Sequence, residues 1–135
     1  MDLRSLYEMI DGNYEDVKDR LVKDSRIVKY VSKFPDDDSY RRLVAFCVPE
    51  EGSNWFVDAM CIQKNYKQAF VYAHTLKGLA QTLGFTKLAL CSGAVTEALR
   101  NDQYALAEIK LPDLTRAYNA TISAIAFFLK QSSEH

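Results

Sequence analysis

The stretch "VYAHTLKGLAQTLGF", from Val71 to Phe85, decides how this chain is read. Its flanks are helix-forming, yet Gly78 stands in mid-run, where glycine costs about 1 kcal/mol relative to alanine. His74 precedes that glycine by one helical turn, and the only other histidine is the terminal His135. The spacing predicts a helix from about Asn65 to Leu83, with Gly84 at the residue just past its end, where a left-handed conformation is common. At about 100° per residue, Ala69, Tyr72, Leu76, Leu79 and Leu83 fall on one side, wide and apolar enough to be a core face. His74 falls nearly opposite. Lys67, Phe70, Val71, Lys77, Gly78 and Gln81 lie beside it, so the imidazole is predicted to face solvent.

Working outward, the chain reads as all-helical. It has three prolines and five glycines, no long stretch of period-two alternation and no internal repeat. Upstream, a first helix is predicted over Asp2 to Ile10, stopping at Gly12. A second, "NYEDVKDRLV", follows with Asn13 as its cap. "RIVKYVSKF" is capped by Asp24 or Ser25 and ended by Pro35. "DDDSYRRLVAFCV" stops near Pro49, before a "PEEGS" loop and "NWFVDAMCIQ". Downstream, Thr86 is predicted to cap "KLALCSGAVTEALR", whose Leu88, Cys91, Val95 and Leu99 recur at helical spacing. Asn101 and Asp102 break it, and "QYALAEIK" reads as a short segment. Pro112 fits the first turn of a last helix to about Lys130, striped by Leu114, Ala117, Tyr118, Thr121, Ile122 and Ile125. Long helices with short connections favour an antiparallel bundle.

Composition narrows the function. A chain of 135 residues is an ordinary single-domain length. With 17 basic and 18 acidic residues the net charge is -1, so no general field attracts nucleic acid or anionic lipid. No apolar run approaches the roughly 20 residues that cross a bilayer, and the acidic start lacks signal-peptide character; a cytoplasmic protein without membrane insertion is expected. Cys47, Cys61 and Cys91 are odd in number, without a CxxC pair. They read as small buried hydrophobes and not as a disulfide framework or zinc site.

Histidine ordinarily titrates at about 6.5, so a neutral imidazole is a competent nucleophile near neutral pH. No Ser/Asp or Cys partner accompanies His74 in a triad pattern, and one histidine cannot build a metal site. Attack on a phosphoryl donor would yield a phosphohistidine, whose charge Lys77, one turn away, would offset. Gln81 can also donate. Gly78, without a side chain, lets a partner approach closely. Phe70 and Val71 are apolar on this exposed stripe, which marks either a docking patch or contact with a neighbouring helix.

"AHTLKGLAQTLGF" resembles the signature of histidine-containing phosphotransfer (HPt) domains: His-x-x-Lys-Gly, then a second glycine six residues after the first. His74, Lys77, Gly78 and Gly84 match it. The approach "NYKQAFVYAH" and the helix "LCSGAVTEALR" are similar to the family's flanks, so the likeness runs from about Asn54 to Ile125. It implies an all-α, antiparallel up-down four-helix bundle with additional short N-terminal helices. Residues 1–135 would form one HPt domain, with 1–53 as N-terminal helices and extension and 54–130 as the motif-bearing bundle helices. By the same likeness His74 is the phosphoacceptor, Lys77 and Gln81 stabilise the phosphate, and Lys67, Phe70, Val71 and Gly78 form a docking surface. The implied partners are response-regulator receiver domains and a hybrid sensor histidine kinase, and the implied carrier is a monomer with no cofactor, no metal and no ATP site. "LYEMIDGNYEDVKDRLVKD" and "DDDSYRRLVAFCVPEEGSNWFVDAM" exceed a minimal domain of this kind, as extra short helices or as part of the docking surface. His135 is given no role.

Two other readings differ in class. The phosphoacceptor region of a sensor kinase typically sets an acidic residue just after its histidine and a proline soon after; here Thr75 and Gly78 occupy that stretch. A helical adaptor that binds a receiver without phosphotransfer would need neither His74 nor Lys77.

Overall fold

In the computed structural model, which describes residues 2–47 and 55–133, the described residues are helical apart from short connections. The helices are α1 (Leu3–Met9), α2 (Tyr14–Leu21), α3 (Asp24–Lys33), α4 (Ser39–Cys47), α5 (Trp55–Thr82), α6 (Thr86–Arg100) and α7 (Tyr104–Ser133), with a single 3-10 turn at Phe34–Asp36. Among the described residues no helix is long and apolar enough to cross a membrane. The loop "PEEGS", His135 and the side chains of Cys47 and Cys61 lie outside the described residues.

The predicted core face of α5 is partly deeper and partly shallower than its wheel. Ala69, Leu76 and Leu83 are buried, together with Ala73 and Ala80. Tyr72 and Leu79 are half-buried against the core. The small residues Ala69, Ala73 and Ala80 allow close packing, and α5 lies against both α4 and α6 while α6 lies against α7. Arg100 of α6 packs over Phe70 and Gly93 of α6 approaches Lys77; the two helices therefore run antiparallel.

Two expectations about helix boundaries change. α5 is one helix of 28 residues beginning at Trp55 instead of near Asn65. Pro112 does not open the last helix; it lies inside α7, a helix of 30 residues. An interior proline costs about 3 kcal/mol. Here Ala107 and Leu111 before it are buried on the same side as Leu114 and Ala117 after it, and Tyr104 stacks on Tyr66 of α5 with centroids 4.3 Å apart. Burying a leucine side chain is worth about 2 kcal/mol, so these contacts together outweigh the proline. Pro112 itself is exposed, and so is Glu108, whose carbonyl loses its helical donor and can take water instead.

The caps also move. Lys23, not Asp24 or Ser25, precedes α3 and makes no side-chain cap. The Asp24 carboxylate instead accepts from the Tyr14 hydroxyl at 2.6 Å and the Lys18 ammonium at 2.9 Å. Those bonds, the tyrosine's first, hold its pKa below the ordinary aspartate value. Phe85, not Thr86, precedes α6, and Thr86 is the first helical residue. Asn13 does cap α2, accepting from the Asp16 amide at 3.0 Å. Cys91 is half-buried instead of buried, and partial desolvation raises the pKa of its thiol.

Candidate functional site

The site is framed by the end of α5. Gly84 holds φ +73. The Phe85 amide returns to the Ala80 carbonyl at 2.8 Å and the Gly84 amide to Gln81 at 3.2 Å, a Schellman closure that a left-handed residue makes possible. The carbonyls left over at a helix C-terminus need partners, and the N-terminal helices supply them. The Tyr7 hydroxyl donates to Leu83 O at 2.5 Å. Arg20 donates to Gln81 O at 2.6 Å and Thr82 O at 3.1 Å while pairing with Asp16 at 2.7 Å. The Asn13 amide donates to Gly84 O at 2.8 Å. Burial pushes the Tyr7 phenol above the ordinary tyrosine range, against a small opposing effect of Arg20, so it stays a donor at neutral pH.

The approach is tight. A Cβ on Gly84 would lie 2.8 Å from Asn13 O, and one on Gly12 would lie 2.7 Å from the Tyr7 ring and 2.8 Å from Gly84 O. Gly12 therefore serves clearance, and the left-handed residue after α1 is Asp11, at φ 51. Beneath the turn, Phe85 packs on Tyr7 at 5.7 Å and on Phe34 at 5.2 Å between centroids.

Along the outer stripe of the same helix the residues are open. His74 is exposed and, among the described residues, its ring makes no hydrogen bond. Lys67 and Gln81 are exposed, Lys77 is half-buried and Val71 is 50 % exposed. Among the described residues the Lys77 ammonium forms no ion pair. Its methylenes run past Gly93, whose missing Cβ would stand 3.7 Å from them. A Cβ on Gly78 would meet nothing within 4 Å, so among the described residues nothing requires glycine there. Phe70 is only half-buried, with its ring against His74 and Arg100.

His74 stands on a ridge between two grooves and lines neither. On the α6 side, Lys77, Gln81, Leu90 and Gly93 join Asp16 and Arg20 of α2 around a cavity of about 620 Å³. On the α3 side, Thr75, Gly78 and Leu79 join Tyr30, Lys33 and Phe34 around about 600 Å³. The sequence pattern puts His74, Lys77, Gly78 and Gln81 on one outer stripe of α5, where they are exposed or half-buried, with Lys77 and Gln81 on one groove and Gly78 on the other; it gave no place to Arg20, Gly93 and Arg100. Only the flush run of small residues "SGA" on α6 hints at Gly93; nothing local marks the two arginines. Among the described residues no group of three or more His, Cys, Asp or Glu could hold a metal ion.

An exposed imidazole whose ring makes no hydrogen bond among the described residues, with an ammonium one turn away that forms no ion pair among them, suits direct nucleophilic attack on an electrophile brought from outside. A model of the Hpt domain matches residues 57–124, just over half of the chain and all of the stripe from Lys67 to Gln81. No curated protein and no solved structure matches the chain.

Proposed function

The chain belongs to the Hpt domain family, and from that premise we propose that it carries phosphoryl groups on His74 between receiver-domain aspartates in a two-component phosphorelay. The observation that carries this reading is the exposed His74 ring in mid-α5, free of hydrogen bonds among the described residues and inside the matched segment.

The chemistry balances without a general base. An unprotonated ring nitrogen attacks phosphorus with its lone pair, the acyl-phosphate P–O bond breaks, and the partner's carboxylate leaves. The proton on the other ring nitrogen stays in place. The ring gains positive charge while the phosphoryl group arrives negative. Opposite unit charges about 4 Å apart attract by about 1 kcal/mol in water and about 4 kcal/mol at an effective dielectric near 20; half-buried Lys77 lies between these limits. In this reading Lys77 and Gln81 steady the phosphoryl group, and Lys67, Val71 and Gly78 meet the partner. The hybrid kinase and the receiver supply ATP chemistry and metal, and the chain acts as a carrier, as a cytoplasmic monomer.

Residues 1–135 act as one unit in this proposal, with α4 to α7 forming an antiparallel up-down four-helix bundle. The contacts of α5 with α4 and α6, and of α6 with α7, support it. α1 to α3 close the end that carries the α5–α6 turn.

The test mixes the chain with receiver domains loaded by acetyl phosphate. Acid-labile label passes to the unmodified chain and is absent from His74→Gln, while Lys77→Ala labels about tenfold more slowly, the equivalent of about 1.4 kcal/mol. Label that persists in His74→Gln overturns the assignment.

A further inference from the structure

We propose that Phe70 is a positioning residue for His74: its ring, held from α6 by Arg100, keeps the imidazole in one orientation with the ring edge toward the incoming phosphoryl donor. This rests on His74 being the phosphoacceptor.

An exposed histidine with no hydrogen bond has two side-chain torsions and nothing polar to set them. Phe70 supplies a surface instead. It precedes His74 by one turn, and helical side chains lean toward the N-terminus, so the imidazole comes to rest on it. The two rings are nearly parallel, 11° apart, with centroids at 5.9 Å, inside the usual range for an offset aromatic stack. Phe70 is anchored in turn. The Arg100 guanidinium packs on the phenyl ring, 5.5 Å from its centroid, and is itself paired with Glu97 at 3.3 Å. The ring lines a cleft of about 250 Å³ with Tyr66, Leu99 and Tyr104. The support therefore comes from two helices and does not share the freedom of the side chain it carries.

Two consequences follow for the reaction. With its plane set by the phenyl ring, the imidazole presents its edge, where both nitrogens and the attacking lone pair lie, in one direction, which limits the orientations to be searched. As phosphorus bonds to nitrogen the ring becomes cationic, and the electron-rich face of a phenyl group stabilises a cation stacked on it.

Phe70→Leu keeps an apolar side chain but removes the ring; Phe70→Met does the same with more reach, and Phe70→Tyr keeps the ring. In proton NMR of the full chain, the His74 ring signals carry a ring-current displacement that is lost in Phe70→Leu and Phe70→Met and retained in Phe70→Tyr. With an acetyl-phosphate-loaded receiver domain as donor, both ring-less variants lower the maximal transfer rate by about tenfold. The receiver concentration giving half that rate stays unchanged, and Phe70→Tyr transfers at the unmodified rate. Unmoved His74 signals in the ring-less variants overturn the proposal. So does a loss confined to the half-saturating concentration, which would make Phe70 a docking residue only. If the unmodified chain takes no phosphoryl group from any receiver, the carrier function fails, and the NMR comparison still decides the stack.

Discussion

Two parts of α5 carry the same motif and are treated in opposite ways. At its C-terminal end each carbonyl from Gln81 to Gly84 finds a donor from the N-terminal helices: Tyr7 takes Leu83, Arg20 takes Gln81 and Thr82, and Asn13 takes Gly84. Around His74, by contrast, the imidazole and the Lys77 ammonium face outward with no hydrogen bond or ion pair among the described residues. Each part contains a glycine, for unrelated reasons. Gly84 is held at positive φ in a space that a Cβ would overfill, whereas Gly78 borders open space. Stability is concentrated at the turn so that the stripe above it can stay unsatisfied, and a group left unsatisfied by its own chain is available to a partner.

Substitutions that should not behave alike can sharpen this contrast. The largest stability effect belongs to Gly84→Ala. A left-handed non-glycine residue costs about 1–2 kcal/mol, and overpacking against the Asn13 carbonyl adds about 1–3 kcal/mol. A loss near 3 kcal/mol, measured by urea denaturation, is expected; an unchanged midpoint would mean that the turn is looser than described. Tyr7→Phe comes next. It leaves Leu83 O without its buried donor, at about 1–2 kcal/mol, and the same titration should show a smaller shift of the same sign. Gly78→Ala is the smallest and has the reverse sign: alanine in a helix interior is better than glycine by up to about 1 kcal/mol, so the protein should become slightly more stable. Phosphotransfer should slow in that same variant, because the new methyl group projects where the partner is proposed to approach. A Gly78→Ala protein that is destabilised, or one that transfers faster, would break the contrast.

The packing of α5 shows how far local pattern reaches. The 3.6-residue period separates Leu76 from His74 without knowledge of any other helix, because burial and exposure repeat with the helix itself. The same period describes the stripe on α7 from Leu114 to Ile125. It fails at Pro112, where the local rule opens a new helix and the structure runs one through. Continuity there is settled by Ala107 and Leu111 packing and by Tyr104 stacking on Tyr66, contacts between residues far apart in sequence. Caps fail for a similar reason. Asp24 is suited to capping, but Tyr14 and Lys18 claim its carboxylate once α2 and α3 fold together.

His74 and its motif neighbours were legible because they share one helix face and answer to a single geometric rule. Arg20 was not, since its bonds to Gln81 and Thr82 span 61 and 62 residues and no spacing rule covers such a distance. Gly93 and Arg100 became meaningful only once α6 lay antiparallel on α5. By itself, then, the sequence determined the helical class, the motif and which side of α5 would meet solvent, all of which depend on neighbours within a few residues. Tertiary structure alone decided what closes the end of α5, what Lys77 lies across and what His74 rests on. Those contacts exist only when distant segments are brought within a few ångströms of one another.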